Sequence, residues 1–416
     1  MVAPKKNMPY GAQLPTAYSE TPKTHHETPT VLAVRLGTSG LKVSQIILGT
    51  MSYGTPEWQR WVLPEADALE HIRVAWESGI NTFDTANIYS NGRSEIILGK
   101  AIKRLGLPRD EIVVMTKVFH AVGHTTASVL GAPDLDETGY VNQWGLSRKH
   151  IFDSVQHSLE RLQLDYIDVL QCHRFDPQTP IPEIMHALHD VVQSGRVRYI
   201  GMSSCWAYQF HAMQNYALAH GLTQFISMQN NYSLLYREEE REMLPTLKVR
   251  GSFLLSFSLS LSSPSRLPIQ NPHRTHPRPA THAPPPQMLN VGSIPWSPLA
   301  RGLLTRPFGE TTARGQSDRM IGKYAGSDAD KIIIERVEEL SKKKGVSMAQ
   351  VGLAWVMGRE GVSAPIIGTT SLDNLKDLLG AYIPLQSSSA IHVKLTPEEA
   401  AYLEEPYQPR HIIGHT

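Results

Sequence analysis

Short runs of β-branched and apolar residues recur along this chain, separated by stretches in which apolar residues return every three or four positions. The runs begin near Ser44, Asn81, Ile112, Tyr166, Val197, Phe225, Val291 and Ala364, and their length and composition are those of strands. Between them, 66–78, 148–162, 181–194, 206–220, 331–344 and 347–359 carry the period of amphipathic helices. Eight strands alternating with helices predict a parallel sheet closed on itself, a (β/α)8 or TIM barrel. Ahead of the first run, 31–35 and 41–43 flank Gly37-Thr38-Ser39-Gly40, which predicts a β-hairpin capping one end of that barrel. Residues 1–30 are rich in Pro, Thr, Lys and His without apolar periodicity and read as a flexible tail. The barrel is therefore assigned to 31–416.

One interval breaks the rhythm. From Phe225 to the next strand is 66 residues, where the preceding interval is 28. Within it, 249–287 holds eight prolines and seven serines and no Asp, Glu, Lys, Tyr, Trp or Cys, a composition that builds no folded subdomain. Its removal joins a helix-like 238–248 to Met288-Leu289-Asn290-Val291 without disturbing either. The segment reads as a disordered insert, and as a retained intron in particular: Val249-Arg250 can encode a splice donor, and Pro284-Pro285-Pro286-Gln287 a pyrimidine tract ending in an acceptor. A lid over the active face is the functional alternative. Its His273, His276 and His282 could be read as a metal site, but histidines scattered in a polar loop are far more often solvated, and no metal is expected.

Bulk properties narrow the partners. Forty basic against thirty-nine acidic residues, with no long run of one sign, give no reason to expect nucleic acid or an anionic membrane. The apolar segment 253–261 is serine-interrupted and far shorter than the roughly 20 residues of a spanning helix. Cys172 and Cys205 are the two cysteines, too few for a secreted disulfide framework, and no signal-peptide pattern opens the chain. A cytoplasmic protein acting on a small molecule is expected; nothing in the sequence sets its oligomeric state.

Four residues of unlike chemistry stand where the strand-like runs end: Asp84 and Tyr89 after 81–83, Lys117 after 112–116, and His173 after 166–172. In a (β/α)8 barrel all the strands open on one face, so these positions converge. A tyrosine can protonate a carbonyl oxygen when a nearby cation stabilises its phenolate. Lys117 is placed to supply that cation, Asp84 its counter-ion, and His173 a hydrogen bond that orients the substrate. Taken singly, each has an ordinary structural reading as a cap, a rim residue or a solvated strand end. Jointly they are improbable as accidents, and together they can protonate a carbonyl while a hydride arrives.

Gly79-Ile80-Asn81-Thr82-Phe83-Asp84-Thr85-Ala86 with Tyr89, Ile112-Val113-Val114-Met115-Thr116-Lys117, and Asp165-Tyr166-Ile167-Asp168-Val169-Leu170-Gln171-Cys172-His173 resemble the signature segments of the aldo-keto reductase superfamily. The resemblance runs from about Val31 to the C-terminus, interrupted by the insert, and within the superfamily it is nearest the fungal aryl-alcohol dehydrogenases and versiconal hemiacetal acetate reductases. It implies that Tyr89 is the general acid, tuned by Lys117 and Asp84, with His173 positioning the carbonyl. It also implies a nicotinamide cofactor extended across the barrel mouth. Ser203 and Ser204 stand where the family places a Ser-Asn pair on the carboxamide, serine here replacing the asparagine. Gln229 matches the next carboxamide ligand, and Trp296 the ring that stacks on nicotinamide. Ser297, Leu299, Arg301 and Gly302 fall in the pyrophosphate loop, and Gly368, Thr370, Asn374 and Asp377 in the segment that holds the adenosine ribose and phosphate. Arg301, Arg306, Arg319 and Lys323 favour NADPH over NADH, with Arg319 assigned to the 2′-phosphate. No G-x-G-x-x-G follows a strand, so a Rossmann domain is not the cofactor site.

The leading expectation is an NADPH-dependent reductase of aldehydes or ketones, able to run in reverse on aryl alcohols. Two other readings remain: a cofactor-binding regulatory subunit of the potassium-channel β type, whose helical blocking segments the Pro-rich tail does not resemble, and an inactive splice product of a reductase gene.

Overall fold

Strands buried on both faces lack the alternation of a half-exposed sheet, yet their two-residue period still sorts side chains to inside and outside. In the computed structural model, which describes residues 31–127, 134–248, 289–318, 321–324, 326–379 and 393–415, this period builds the molecule. Strands β1 (Ala33–Arg35) and β2 (Lys42–Ser44) pair antiparallel. The remaining eight are all parallel: β3 (Ile47–Gly49), β4 (Thr82–Asp84), β5 (Val113–Val118), β6 (Ile167–Cys172), β7 (Val197–Ser203), β8 (Phe225–Gln229), β9 (Gly292–Ser293) and β10 (Ile366–Ile367). Their order is β10-β3-β4-β5-β6-β7-β8-β9. Parallel bridges Ser293 to Val362 and Trp296 to Ile366, with Ile366 N donating to Pro295 O at 2.8 Å, bring the last strand back beside the first. The sheet is a (β/α)8 barrel with a small hairpin at its N-terminal end, as expected.

Two apolar layers follow from the alternation. Val114 and Val118 of β5 and Leu170 and Cys172 of β6 face outward against the helices. Val113, Met115 and Val169 face inward, where Leu36 and Val43 of the hairpin pack on them with Ile47 and Ile366. The hairpin thus closes the lower end with an apolar plug. Above the plug the same inward positions turn polar: Asp84, Lys117, Gln171 and Gln229 are each no more than 2% exposed. Register sets them side by side, with Lys117 opposite Gln171 and Ser203 opposite Gln229.

Helices Glu65–Glu77, Arg148–Leu162, Ile181–Gln193, Ala207–Ala219, Asp328–Lys344 and Met348–Met357 agree with the expected ones. Arg93–Arg104, Leu372–Leu379 and Pro397–Glu404 are further helices that the sequence reading did not name. Arg93–Arg104 buries Glu95 completely, against Arg161 Nε at 2.6 Å and the Thr116 hydroxyl at 2.6 Å. Residues 1–30 and the insert 249–287, with its three histidines, lie outside the described residues. At the edges of the insert, Val291 N donates to Leu247 O at 3.3 Å, so the chain entering it and the chain leaving it meet. Among the described residues, no helix is long and apolar enough to cross a membrane.

Candidate active site

Asp84 closes β4 and Lys117 is the penultimate residue of β5, both pointing into the barrel above the plug. Lys117 Nζ donates to Asp84 Oδ2 at 2.5 Å, to Thr85 O at 2.9 Å and to the Tyr89 hydroxyl at 3.4 Å. The other Asp84 oxygen accepts from Gln171 at 2.9 Å and Gln229 at 3.0 Å, and Gln229 also donates to Gln171 Oε1 at 2.8 Å. A carboxylate and an ammonium taken out of water need this many partners to be stable. Tyr89 is delivered by a tight turn whose Ser90 and Asn91 adopt left-handed φ of 48° and 50°. Its ring meets that of His173 edge-on at 5.8 Å. All four residues of the expected set therefore stand in one cluster.

The electrostatics are those of a dry site. Burial, ahead of Asp84 and against the pull of Lys117, raises the Tyr89 hydroxyl above the ordinary tyrosine range and keeps it protonated. Burial disfavours the Lys117 ammonium, but Asp84 and Tyr89 together outweigh it and hold the lysine charged. His173 lies well below the usual histidine range through burial, then His120, Arg174 and Lys117. His120, edge-on to His173 at 5.0 Å, is lowered to about 3 by burial and Arg174. Both imidazoles are neutral near pH 7, and His173 Nδ1 is buried without a partner.

The expected cofactor residues divide. Ser203, Ser204, Gln229 and Trp296 gather beside the cluster: the Ser203 hydroxyl donates to Gln229 O at 2.6 Å, Ser204 N to Asn230 Oδ1 at 2.8 Å, and Trp296 Nε1 to Ser204 Oγ at 3.2 Å. Ser297, Ala300, Arg301 and Gly302 all take positive φ, from 47° to 96°, wrapping the chain sharply after β9 with Leu299 inside the turn. Arg301 is tied to Asp318 at 2.5 Å. Gly368 and Thr370 lead into the helix Leu372–Leu379, where Asn374 is exposed and its N–H bonds the Ser371 hydroxyl at 3.3 Å. Asp377, two turns in, accepts instead from the Ser347 hydroxyl at 2.6 Å, joining that helix to the next one in the barrel wall. Arg319 lies outside the described residues. Among the described residues, no group of three or more His, Cys, Asp or Glu could hold a metal.

Several residues at the site were not anticipated. Gln171 links Asp84 to Gln229; it is two positions before His173, so strand alternation from the histidine could have found it. His120 and Arg174 flank His173, and no spacing rule marks them. The Asn231 amide is buried with neither its nitrogen nor its oxygen partnered. Finally, the C-terminal segment comes back over the mouth: a Cβ on Gly414 would lie 3.5 Å from Trp296 Cζ2 and 3.6 Å from Ser204 Oγ, and His415 faces Glu239 at 3.1 Å.

Comparison with known proteins decides the family. A model of the aldo/keto reductase family matches residues 45–260 and 284–394. The chain belongs to the aldo/keto reductase family. It is 44% identical over 384 residues to versiconal hemiacetal acetate reductase of Aspergillus parasiticus, covering 91% of this chain and 97% of that protein. A Schizosaccharomyces pombe protein provisionally named aryl-alcohol dehydrogenase is 43% identical over 389 residues, covering 91% and 96%. An aldo-keto reductase of Fusarium vanettenii is 41% identical, covering 92% of each. This aldo/keto reductase is accordingly an oxidoreductase that acts on the carbonyl or alcohol group of a small molecule.

Proposed function

We propose that this chain is an NADPH-dependent reductase of aldehydes or ketones in which Tyr89 is the general acid. The observation that carries the reading is Lys117 Nζ held between Asp84 Oδ2 at 2.5 Å and the Tyr89 hydroxyl at 3.4 Å. A protonated tyrosine can donate to a carbonyl oxygen, and the adjacent ammonium stabilises the phenolate left behind. His173, neutral and with its ring beside Tyr89, orients the same oxygen by hydrogen bonding. Asp84, braced by Gln171 and Gln229, keeps the lysine charged and in place.

Ser203, Ser204, Gln229 and Asn231 would meet the carboxamide of a nicotinamide, and Trp296, its indole anchored on Ser204, would pack on the ring. The unpartnered buried amide of Asn231 supports that fit. The turn 297–302 would take the pyrophosphate, and Arg301 and Arg306 would favour the phosphorylated dinucleotide. Bound, the dinucleotide supplies the hydride from nicotinamide C4. The name aryl-alcohol dehydrogenase among the relatives points to aryl alcohols and the corresponding aryl aldehydes as a substrate class to try first. Screening aromatic aldehydes by loss of NADPH absorbance tests the reading. Turnover should be seen with NADPH and be weaker with NADH, and absence of turnover with any aldehyde would refute it.

A further inference from the structure

One buried carboxylate near the expected cofactor residues takes no part in the cluster around Lys117. Glu239 lies in the turn after β8, and its side chain is 3% exposed. Its Oε2 accepts from Asn230 Nδ2, and Asn230 Oδ1 in turn accepts from Ser204 N at 2.8 Å. Ser204 Oγ takes the indole N–H of Trp296 at 3.2 Å. A line of hydrogen-bonded residues thus runs from Glu239 to two of those placed at the nicotinamide end. The other carboxylate oxygen, Oε1, has no hydrogen bond. A carboxylate held away from water with one oxygen unused is costly unless a donor is brought to it.

The end of the chain brings that donor. Residues 236–238 form its dock: the Tyr407 hydroxyl donates to Glu238 Oε1 at 2.7 Å, Arg410 N to the same oxygen at 2.9 Å, and Ile413 N to the Tyr236 hydroxyl at 2.9 Å. Gly414 then takes a φ of 92°, a conformation open chiefly to glycine, and passes against Trp296 and Ser204. That turn leaves the His415 side chain 6% exposed, with its Nε2 3.1 Å from Glu239 Oε1 and its ring edge-on to Trp206 at 4.9 Å. The contact is close but not aligned as a hydrogen bond, and neither imidazole nitrogen has another partner. With a proton on Nε2, a small rotation of the ring gives Glu239 its missing donor. We propose that His415 is a positioning residue for the dinucleotide. By completing Glu239 it holds Asn230, Ser204 and Trp296 in the arrangement that receives the nicotinamide carboxamide, and the strap 411–415 that it anchors slows release of the cofactor. This rests on the NADPH reading above.

The test uses the full-length protein with His415→Ala and with His415→Gln, whose amide can still donate to Glu239. Without cofactor, hydrogen exchange read by mass spectrometry should find the amides of 411–415 protected in wild type, exposed in His415→Ala and largely protected again in His415→Gln. With NADPH, stopped-flow displacement should show release about tenfold faster from His415→Ala, the worth of one hydrogen bond to a charged group, and near the wild-type rate from His415→Gln. KM for NADPH should rise with it while the single-turnover hydride rate stays unchanged, because Tyr89, Lys117 and His173 are untouched. Equal release from wild type and His415→Ala, or faster release that His415→Gln does not repair, overturns the proposal. So does a freed strap that leaves release unchanged. If wild type binds neither NADPH nor NADH, the reductase reading falls and takes the cofactor role of His415 with it. Exchange that is the same in wild type and His415→Ala refutes the anchoring of the strap whether or not a cofactor binds.

Discussion

At the scale of single residues, the Tyr89 hydroxyl has no substitute among its neighbours: Lys117 is held by Asp84 and Thr85, and His173 is neutral. Tyr89→Phe should therefore lower carbonyl reduction by on the order of 10²-fold or more while NADPH affinity, measured by fluorescence titration, changes little. Near wild-type turnover would remove Tyr89 from the role of acid. The buried histidines make a second prediction. His120 and His173 have folded pKa values depressed below the ordinary histidine value, so the unfolded chain takes up protons first as pH falls. Their stability contribution is complete above about pH 6.5 and is lost progressively below it, by up to about 1.4 kcal/mol per pH unit for each. Urea unfolding between pH 7.5 and 5, above the range where carboxylates take part, should show that slope. His120→Gln should reduce it by close to one proton's worth, and an unchanged slope would count against His120 being buried uncharged.

At the scale of elements, the wall outside β5 depends on how closely two helices approach. Gly99 of Arg93–Arg104 faces the last turn of Arg148–Leu162, where an added Cβ would lie 2.2 Å from Leu162 O. That atom is backbone and cannot swing aside. Gly99→Ala, which on an exposed helix would stabilise, should here force the helices apart and cost about 1–3 kcal/mol. The separation would also strain the Glu95 to Arg161 pair. A raised or unchanged melting temperature would show that the wall yields more easily than this packing implies.

At the scale of the whole molecule, the insert is the outstanding feature. We read 249–287 as an addition to a complete barrel, supported by the contact between Leu247 and Val291 at its edges and by the break in the family match from 261 to 283. Loop closure changes by only about 0.6 kcal/mol per doubling of length, and the exchange leaves a short connection between residues already in contact. Joining Lys248 to Met288 should give a protein that folds, melts no lower than the full chain and binds NADPH at least as well. Its apolar 253–261 would also no longer be present to promote aggregation, so soluble yield should rise. Unfolding or loss of activity in the deletion protein would make the segment a working part of the enzyme.

Local pattern carried much of this protein. Strand and helix periods, with residues of distinctive chemistry at the strand ends, were enough for the barrel, its hairpin and the cluster of Asp84, Tyr89, Lys117 and His173, because a parallel barrel sends every strand end to one face. Helix Arg93–Arg104 was not named although Ile97, Leu98, Ala101 and Ile102 carry a helical period; what the sequence hid is that Glu95 is buried, because its partner Arg161 lies on another helix. Gln171 escaped because a strand buried on both sides marks its inward residues by no change of polarity, so only counting back two positions from His173 picks it out. Outside that cluster, partnership was not legible in the sequence. Whether Asp377 faces the mouth or Ser347, and whether Glu239 meets His415, depends on what other elements bring within about 4 Å of those atoms. Only the packed tertiary structure decides that, since ion pairs and hydrogen bonds form through space between residues the chain keeps far apart.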